Sequence, residues 1–301
     1  MTLVQLKYAV TLEKIRNFAL AAQELFIAQP TLSLQIQKLE KHMGILIFDR
    51  TTNPISITVE GKEFLKQARI VLQESEKLEF MYSQKNGTPS GEIRLGIIPT
   101  VASSLLVKII PLVKSKYPEL QLRIFELPTN QIIQKLEGNE IDIGMLATPL
   151  SNRKIKEYPL YYEPFQVYFP SGSIPDGDVR IEDIQEREMI ILGEEHCFRG
   201  QSLKICKNNS PGRIEAGSFE TIKKLVDNNL GLTLLPQFEE VQFKERIRSL
   251  VDPKPAREIS LVTNISFFKI KILNTLKNEI LNLVPGQYHS KKDFHIIGVE
   301  A

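Results

Sequence analysis

Between Glu92 and Thr148 the hydrophobic pattern changes period four times, which constrains the fold more than any other feature. "EIRLGIIP" is a near-continuous apolar run, "SSLLVKIIPLVKSKYP" has helical spacing, and "LQLRIFELPT" is a second strand-like run. "NQIIQKLEGNE" is again helical and "IDIGMLAT" a third strand. Strands alternating with helices give β-α-β-α-β and a parallel sheet. Ligands of such sheets sit beyond the carboxyl ends of the strands, where Pro99-Thr100 and Pro128-Thr129 fall. "EMIILGEEHCF", "TIKKLVDNNLGLTLLP" and "EISLVTN" repeat the same pattern, so two similar α/β subdomains with a cleft between them are expected.

A chain of 301 residues exceeds one ordinary core, and the segments before Glu92 follow different rules. Up to Thr58 the pattern is of short helices. Phe18, Ala21, Ala22 and Leu25 form one stripe, and Leu32, Ile36, Leu39 and Met43 form a second after a break. Pro30 suits the first turn of the second helix and Gly44 its end. Two helices joined by a tight turn make a helix-turn-helix, and "FDRTTNPISIT" fits a small β wing. Residues 59–84 read as one long helix capped by Thr58, with Phe64, Ala68, Val71, Ser75, Leu78 and Tyr82 at heptad spacing. Such a seam pairs with a copy of itself or packs on its own domain. "SQKNGTPSG" breaks the helix, and 85–91 is taken as a hinge linker. No apolar run approaches a membrane span or a signal peptide, so the expectation is a cytoplasmic protein with no membrane contact.

Net charge is +2, all of it within residues 1–58, where six basic residues face four acidic ones. That excess is too small to argue for DNA, so pattern must. The face of the second helix opposite its apolar stripe carries Gln29, Pro30, Thr31, Ser33, Leu34, Gln35 and Lys38. Glutamine can pair with adenine through two hydrogen bonds, Leu34 can touch a thymine methyl, and Lys38, Lys41 and Arg50 suit phosphates. A plain three-helix bundle with a solvated face would show the same stripes.

The only cysteines, Cys197 and Cys206, have eight residues between them in "GEEHCFRGQSLKIC". In a reducing compartment such a pair is more often redox-active or metal-binding than a resting disulfide. Inert core thiols, a metal site with His196, and a Cys–His nucleophile are the alternatives. The metal reading has three ligands at most and no CxxC pair, so no cofactor is expected. If the segment is helical, nine steps of ~1.5 Å separate the two Cα atoms by about 13 Å, against the roughly 4.4–6.8 Å of a disulfide. The bond would then form only with unwinding. Reactivity requires a thiolate at Cys197, which His196, Arg199 and a helix start would favour.

Residues 1 to about 65 closely resemble the DNA-binding part of LysR-type transcriptional regulators. The matching residues are Asn17-Phe18, Ala21-Ala22, Leu25, Gln29-Pro30, Ser33, Gln35-Ile36, Leu39-Glu40, Gly44, Phe48, Arg50, Thr58 and Gly61. The resemblance runs through the linker helix and the paired α/β segments. It implies an all-α winged helix-turn-helix over 1–58, a linker and dimerisation helix over 59–84, and a regulatory domain over 92–301. That domain would be periplasmic-binding-protein-like, with Rossmann-like subdomains at about 92–163 with 267–301 and at about 164–266. "HCFRGQSLKIC", "LGIIPTV" and "LPTNQ" are similar to segments of peroxide-sensing members of that family. The resemblance implies that Cys197 is peroxidatic and Cys206 resolving, with Thr100, Thr129, His196, Arg199 and Gln201 at the peroxide pocket. It implies no enzymatic turnover. The implied partners are double-stranded promoter DNA, hydrogen peroxide, RNA polymerase and further copies of the chain as a dimer of dimers. A regulator answering to a small metabolite, and a thiol enzyme fused to a helix-turn-helix, remain alternatives. Ala28 replaces a serine usual before Gln-Pro and removes a helix cap. Gly200 replaces a usual acid. Asn264 stands where a pocket arginine is expected, and Arg257 lies too far along the same strand to be assumed its substitute.

Overall fold

The computed structural model describes residues 1–83, 89–185, 187–206 and 214–299, with side chains at 81–83 excepted. The chain divides into two compact units near residue 88. Part of the expected hinge (84–88) and the side chain of Tyr82 lie outside the described residues.

The first unit begins with α1 (Leu3–Ile15), α2 (Phe18–Glu24) and α3 (Gln29–Met43). Asn17 caps α2, its side chain accepting from the N–H groups of Ala19 and Leu20. Gly44 ends α3 at φ 71°, a left-handed conformation suited to glycine. Strands β1 (Phe48–Asp49) and β2 (Ser56–Ile57) pair antiparallel as the wing. Ala21, Ala22, Leu32, Ile36 and Leu39 are buried with Leu12, Ile47 and Leu65 in one core. Met43, the last member of the expected stripe, is exposed because the helix ends there.

Helix α4 (Val59–Ser83) follows, and Thr58 Oγ1 accepts from Gly61 N–H at 2.9 Å as its cap. A Cβ at Gly61 would stand 2.2 Å from Ile47 O, so only glycine lets α4 start this close to the wing. The heptad seam divides into two. Ala68 of the seam is buried, Leu65 beside it belongs to the unit's own core, and Arg69 pairs with Glu13 of α1. Beyond them Leu78 is 62% exposed.

The second unit starts with β3 (Gly91–Ile97), α5 (Pro99–Lys116), β4 (Leu120–Glu126), α6 (Thr129–Glu137) and β5 (Ile143–Thr148), the predicted alternation. Strand β3 lies parallel to both β4 and β5. A Cβ at Gly144 of β5 would meet Ile132 Cγ2 at 2.6 Å, so this glycine lets α6, and Thr129 at its start, settle onto the sheet.

Sequence reasoning missed β6 (Ile155–Tyr168), since Pro159 and Pro164 break its pattern. It precedes β7 (Ile190–Leu192), α7 (Cys197–Ile205), β8 (Ile214–Ala216), α8 (Phe219–Asp227) and β9 (Thr233–Pro236). The chain continues through β10 (Ile247–Ser249), β11 (Pro255–Asn264), α9 (Ile270–Leu283) and β12 (His295–Ile296). The main sheet has the order β10-β6-β11-β5-β3-β4. It is mixed rather than wholly parallel, because β11 runs antiparallel to β5 and β6. Strand β6 pairs with β11 over its first part, then with β9 and β10 through Phe165–Tyr168. A second apolar core gathers Phe165, Ile190, Phe198, Ile205, Cys206, Phe219 and Ile222 beneath α7 and α8.

Candidate functional site

Three helix N-termini converge on one small pocket, lined by Ile98, Pro99 and Thr100 of α5, Pro128 and Thr129 of α6, and Glu195, His196 and Cys197 of α7. Each helix starts where a strand or loop hands over to an apolar helical run. Pro99 follows β3 as a first-turn proline, Thr129 follows Pro128, and Cys197 follows the "GEEH" turn. The first N–H groups of a helix carry no internal partner and bear a partial positive charge. The pocket therefore favours a small anion. It is tight, with a cavity volume of about 0 Å³ in this conformation, far below the ~300 Å³ at which metabolite pockets usually begin.

Cys197 is the first residue of α7, and Cys206 caps the other end of the helix. The two cysteines are not joined by a disulfide; Cys197 is half-buried and Cys206 buried. The intact helix sets their Cα atoms about 13 Å apart at ~1.5 Å per residue, as expected. Although part of Cys197 is accessible, burial is the largest influence on its thiol and pushes the pKa up. Three features oppose burial: the Thr129 hydroxyl, the Arg257 guanidinium, and the backbone N–H groups of Cys197 and Phe198. Thr129 Oγ1 is buried without a hydrogen-bond partner of normal geometry, yet lies close enough to the sulfur to favour the thiolate.

The arginine at this site is Arg257, correcting the expectation that Asn264 leaves the pocket without one. Arg257 is completely buried on β11. Its Nη1 donates to Thr100 Oγ1 at 2.7 Å and its Nη2 to Thr100 O at 2.8 Å. Nε and Nη2 donate to Glu163 Oε2 of β6 at 2.9 and 2.8 Å. The guanidinium also stacks on Phe198, 5.1 Å from the ring centroid. Asn264, at the far end of β11, instead donates to Leu136 O. Distance along the strand was the wrong measure, because α5 and α7 come to the strand's beginning. The signal was present in "PAREISLV", where an arginine falls within a strand-like segment whose Ile259, Leu261 and Val262 are apolar.

Two other expected pocket residues face elsewhere. Arg199 donates to Glu215 and Glu194 and does not line the pocket, since two residues along a helix, roughly 200°, turn it to the other side. Gln201, buried on α7, donates to Ile297 O at 2.7 Å and so ties the helix to the C-terminal segment. His196 stays at the pocket, its Nε2 within 3.2 Å of Gly217 O and 3.4 Å of Glu195 Oε1. Glu194 and Glu195 are exposed, and Glu195 also lines the pocket.

In the first unit Gln29, Pro30, Thr31, Leu34 and Lys38 form an exposed face on α3, with Ser33 and Gln35 partly buried beside it. Gln5 of α1 donates to Gln35 Oε1 at 3.0 Å and orients it. Ala28 supplies no side-chain cap to α3. Arg50 keeps about a third of its side chain exposed while it is held from within. It donates to Glu40 at 2.7 Å and lies over the Phe18 ring, while Glu40 also accepts from the N–H groups of Ile47 and Phe48. The requirement to pair buried Glu40 explains its position.

Two family models match the chain: "Bacterial regulatory helix-turn-helix protein, lysR family" over residues 3–62 and "LysR substrate binding domain" over 86–266. The "hydrogen peroxide-inducible genes activator" of Dickeya chrysanthemi is 33% identical over 273 residues, 87% of this chain and 89% of that protein. The "DNA-binding transcriptional dual regulator OxyR" of Escherichia coli K12 is 32% identical over 271 residues, 87% and 89% of the two chains. A full-length OxyR of Pseudomonas aeruginosa with a cysteine-to-aspartate substitution superposes with a TM-score of 0.80 at 29% identity, over 93% of this chain and 98% of that one. A hydrogen-peroxide-bound cysteine-to-serine OxyR mutant of Corynebacterium glutamicum gives 0.61 at 27%, over 93% and 92%.

Proposed function

Because the chain belongs to the LysR family of bacterial helix-turn-helix regulators, we propose that it is a peroxide-responsive transcription factor switched by its two cysteines. One observation carries the reading: Cys197 opens α7 in a pocket formed by three helix N-termini, beside an unpaired Thr129 hydroxyl. A peroxide molecule needs a donor for its leaving oxygen and a thiolate for attack; the pocket holds the Thr129 donor beside the sulfur, and Thr129 and Arg257 both favour the thiolate against burial.

The Cys197 thiolate attacks one peroxide oxygen, the O–O bond breaks, and hydroxide leaves as the sulfenic acid forms. Thr129, the α5 N-terminus and His196 favour the departing negative oxygen, while Arg257 favours the thiolate. The Cys206 thiol then displaces water from the sulfenic sulfur and gives the 197–206 disulfide. Closing about 13 Å to roughly 6 Å requires α7 to unwind. The contacts α7 makes through Phe198, Gln201 and Ile205 are then lost, and the regulatory surface changes.

The domains implied by the sequence, 1–58, 59–84, 85–91 and 92–301, would act in series. Disulfide formation reshapes the regulatory domain, the exposed half of the α4 seam pairs with a second copy, and α3 enters the major groove of promoter DNA. Gln29, Thr31, Ser33, Leu34 and Gln35 would read base edges, and Lys38 and Arg50 would meet phosphates. A dimer of dimers contacting RNA polymerase in the cytoplasm, activating oxidative-stress genes, completes the reading. The small pocket weighs against a metabolite effector.

The test is stoichiometric. Reduced protein treated with one equivalent of hydrogen peroxide should lose two free thiols, recover them with a dithiol, and change its footprint on operator DNA. Unchanged thiols would favour a metabolite regulator, and sustained peroxide consumption an enzyme.

A further inference from the structure

Glu163 has no part in the steps above, yet it is 1% exposed and carries a carboxylate. An unpaired ion there would be costly, so its partners define its purpose. Oε2 accepts from Arg257 Nε and Nη2, and Oε1 accepts from Phe238 N–H at 3.1 Å. Arg257 is thus held along one edge of its fork by Glu163 and at the other by Thr100. The guanidinium stacks on Phe198, the residue directly after Cys197. We propose that Glu163 is a positioning residue for oxidation at Cys197: it aims the Arg257 guanidinium at the pocket and limits how much of its charge the sulfur feels. This rests on the reading of Cys197 as the peroxide-reactive group.

The geometry gives the sign. Arg257 acts on the thiol directly and lowers its pKa. Glu163 lies on the guanidinium and partly cancels that charge. Replacing it by glutamine keeps the shape and an acceptor, and Thr100 keeps hold of Nη1 and Nη2. The arginine stays in place with its charge uncompensated, so the thiolate becomes easier to form. The other groups facing the site leave this order intact. Thr129 is neutral, His196 and Glu195 line the pocket unchanged in every variant, and the Tyr161 phenol is held protonated by burial and by Glu163.

The experiment uses the full-length reduced protein with Cys206→Ser, so that one thiol remains. Iodoacetamide alkylation of Cys197 is followed against pH in the parent, Glu163→Gln, Arg257→Gln and the double variant. The Glu163→Gln midpoint should fall by about one pH unit, the order expected of an unscreened opposite charge a few ångströms away. Arg257→Gln should raise it most, and the double variant should fall between Arg257→Gln and the parent. A role confined to packing moves the midpoint upward or not at all in Glu163→Gln, and either result overturns the proposal. The double variant replaces a buried ion pair by a neutral one of the same shape, which proteins tolerate better than a lone buried charge. If Glu163→Gln fails to fold, the parent, Arg257→Gln and double-variant midpoints still decide. A double variant above Arg257→Gln refutes the charge argument. Peroxide titration of the parent reports separately on the underlying reading: a parent that alkylates in the predicted order but ignores peroxide removes the sensor and leaves the Glu163–Arg257 coupling.

Discussion

Helices α3 and α7 begin in the same chemical condition and end up with different surroundings. Neither has a side-chain cap, because Ala28 cannot accept a hydrogen bond and His196 does not. Both therefore present orphan N–H groups and a partial positive charge. At α3 the first turn is open to solvent, so its natural acceptor is external, and a DNA phosphate fits. At α7 the first turn is enclosed by α5 and α6, and the acceptor is the sulfur of Cys197 itself. An open end yields affinity that salt can screen. An enclosed end yields a reactive group whose charge is governed by burial.

The sharpest way to break this comparison is at α7. Cys197→Ser should abolish peroxide-driven loss of both thiols, whereas Cys206→Ser should stop at sulfenic acid, visible as a gain of one oxygen by mass spectrometry. Equal oxidation of parent and Cys197→Ser would remove α7 as the reactive end. Next in size is Gly61→Ala, which leaves both helix ends alone and pushes a methyl into Ile47 O. It should destabilise the first unit by about 3 kcal/mol, the upper range for overpacking, in a urea titration. An unchanged midpoint would mean that the α4 start is looser than the close approach indicates.

Thr129→Val removes the unpaired donor at nearly constant volume. Peroxide oxidation should slow about tenfold, roughly 1.4 kcal/mol in the barrier, in stopped-flow measurements. Unfolding stability should not fall, since no hydrogen bond is lost. Because burial raises the Cys197 thiol, its oxidation rate should still be climbing with pH as it passes about 8.5, the ordinary cysteine value. A rate already level at neutral pH would show that the helix ends and Arg257 outweigh burial. The smallest effect returns to α3. Ala28→Ser restores a cap and should stabilise the first unit by about 1 kcal/mol, read in the same urea titration.

Much of the fold was legible because it rests on local periodicity. The stripe through Leu32, Ile36 and Leu39, the Pro30 and Gly44 signals and the alternation from Glu92 to Thr148 all correspond to observed elements. Strand β6 was not legible, since two prolines sit where period-two patterning should continue. The direction of β11 was missed because strand orientation depends on how distant segments pair. At the pocket, Thr100, Thr129, His196 and Cys197 were found from short motifs at strand ends and a helix start. Arg199 and Gln201 are bonded elsewhere in this structure, since a motif specifies neighbours in sequence while a helix turns them to different sides.

What the sequence alone determined was a regulator-like order of parts, two cysteines too far apart along a helix to bond at rest, and the threonines at the ends of two strands. Local spacing suffices for these, because caps, periods and helix rise act over a few residues. Only the tertiary structure decided which charges reach the sulfur. Glu163 and Arg257 are 94 residues apart, and Arg257 and Thr100 are 157 apart. No local pattern links such positions. The pairing of β6 with β11 brings them together, and burial turns their ion pair into a control on Cys197.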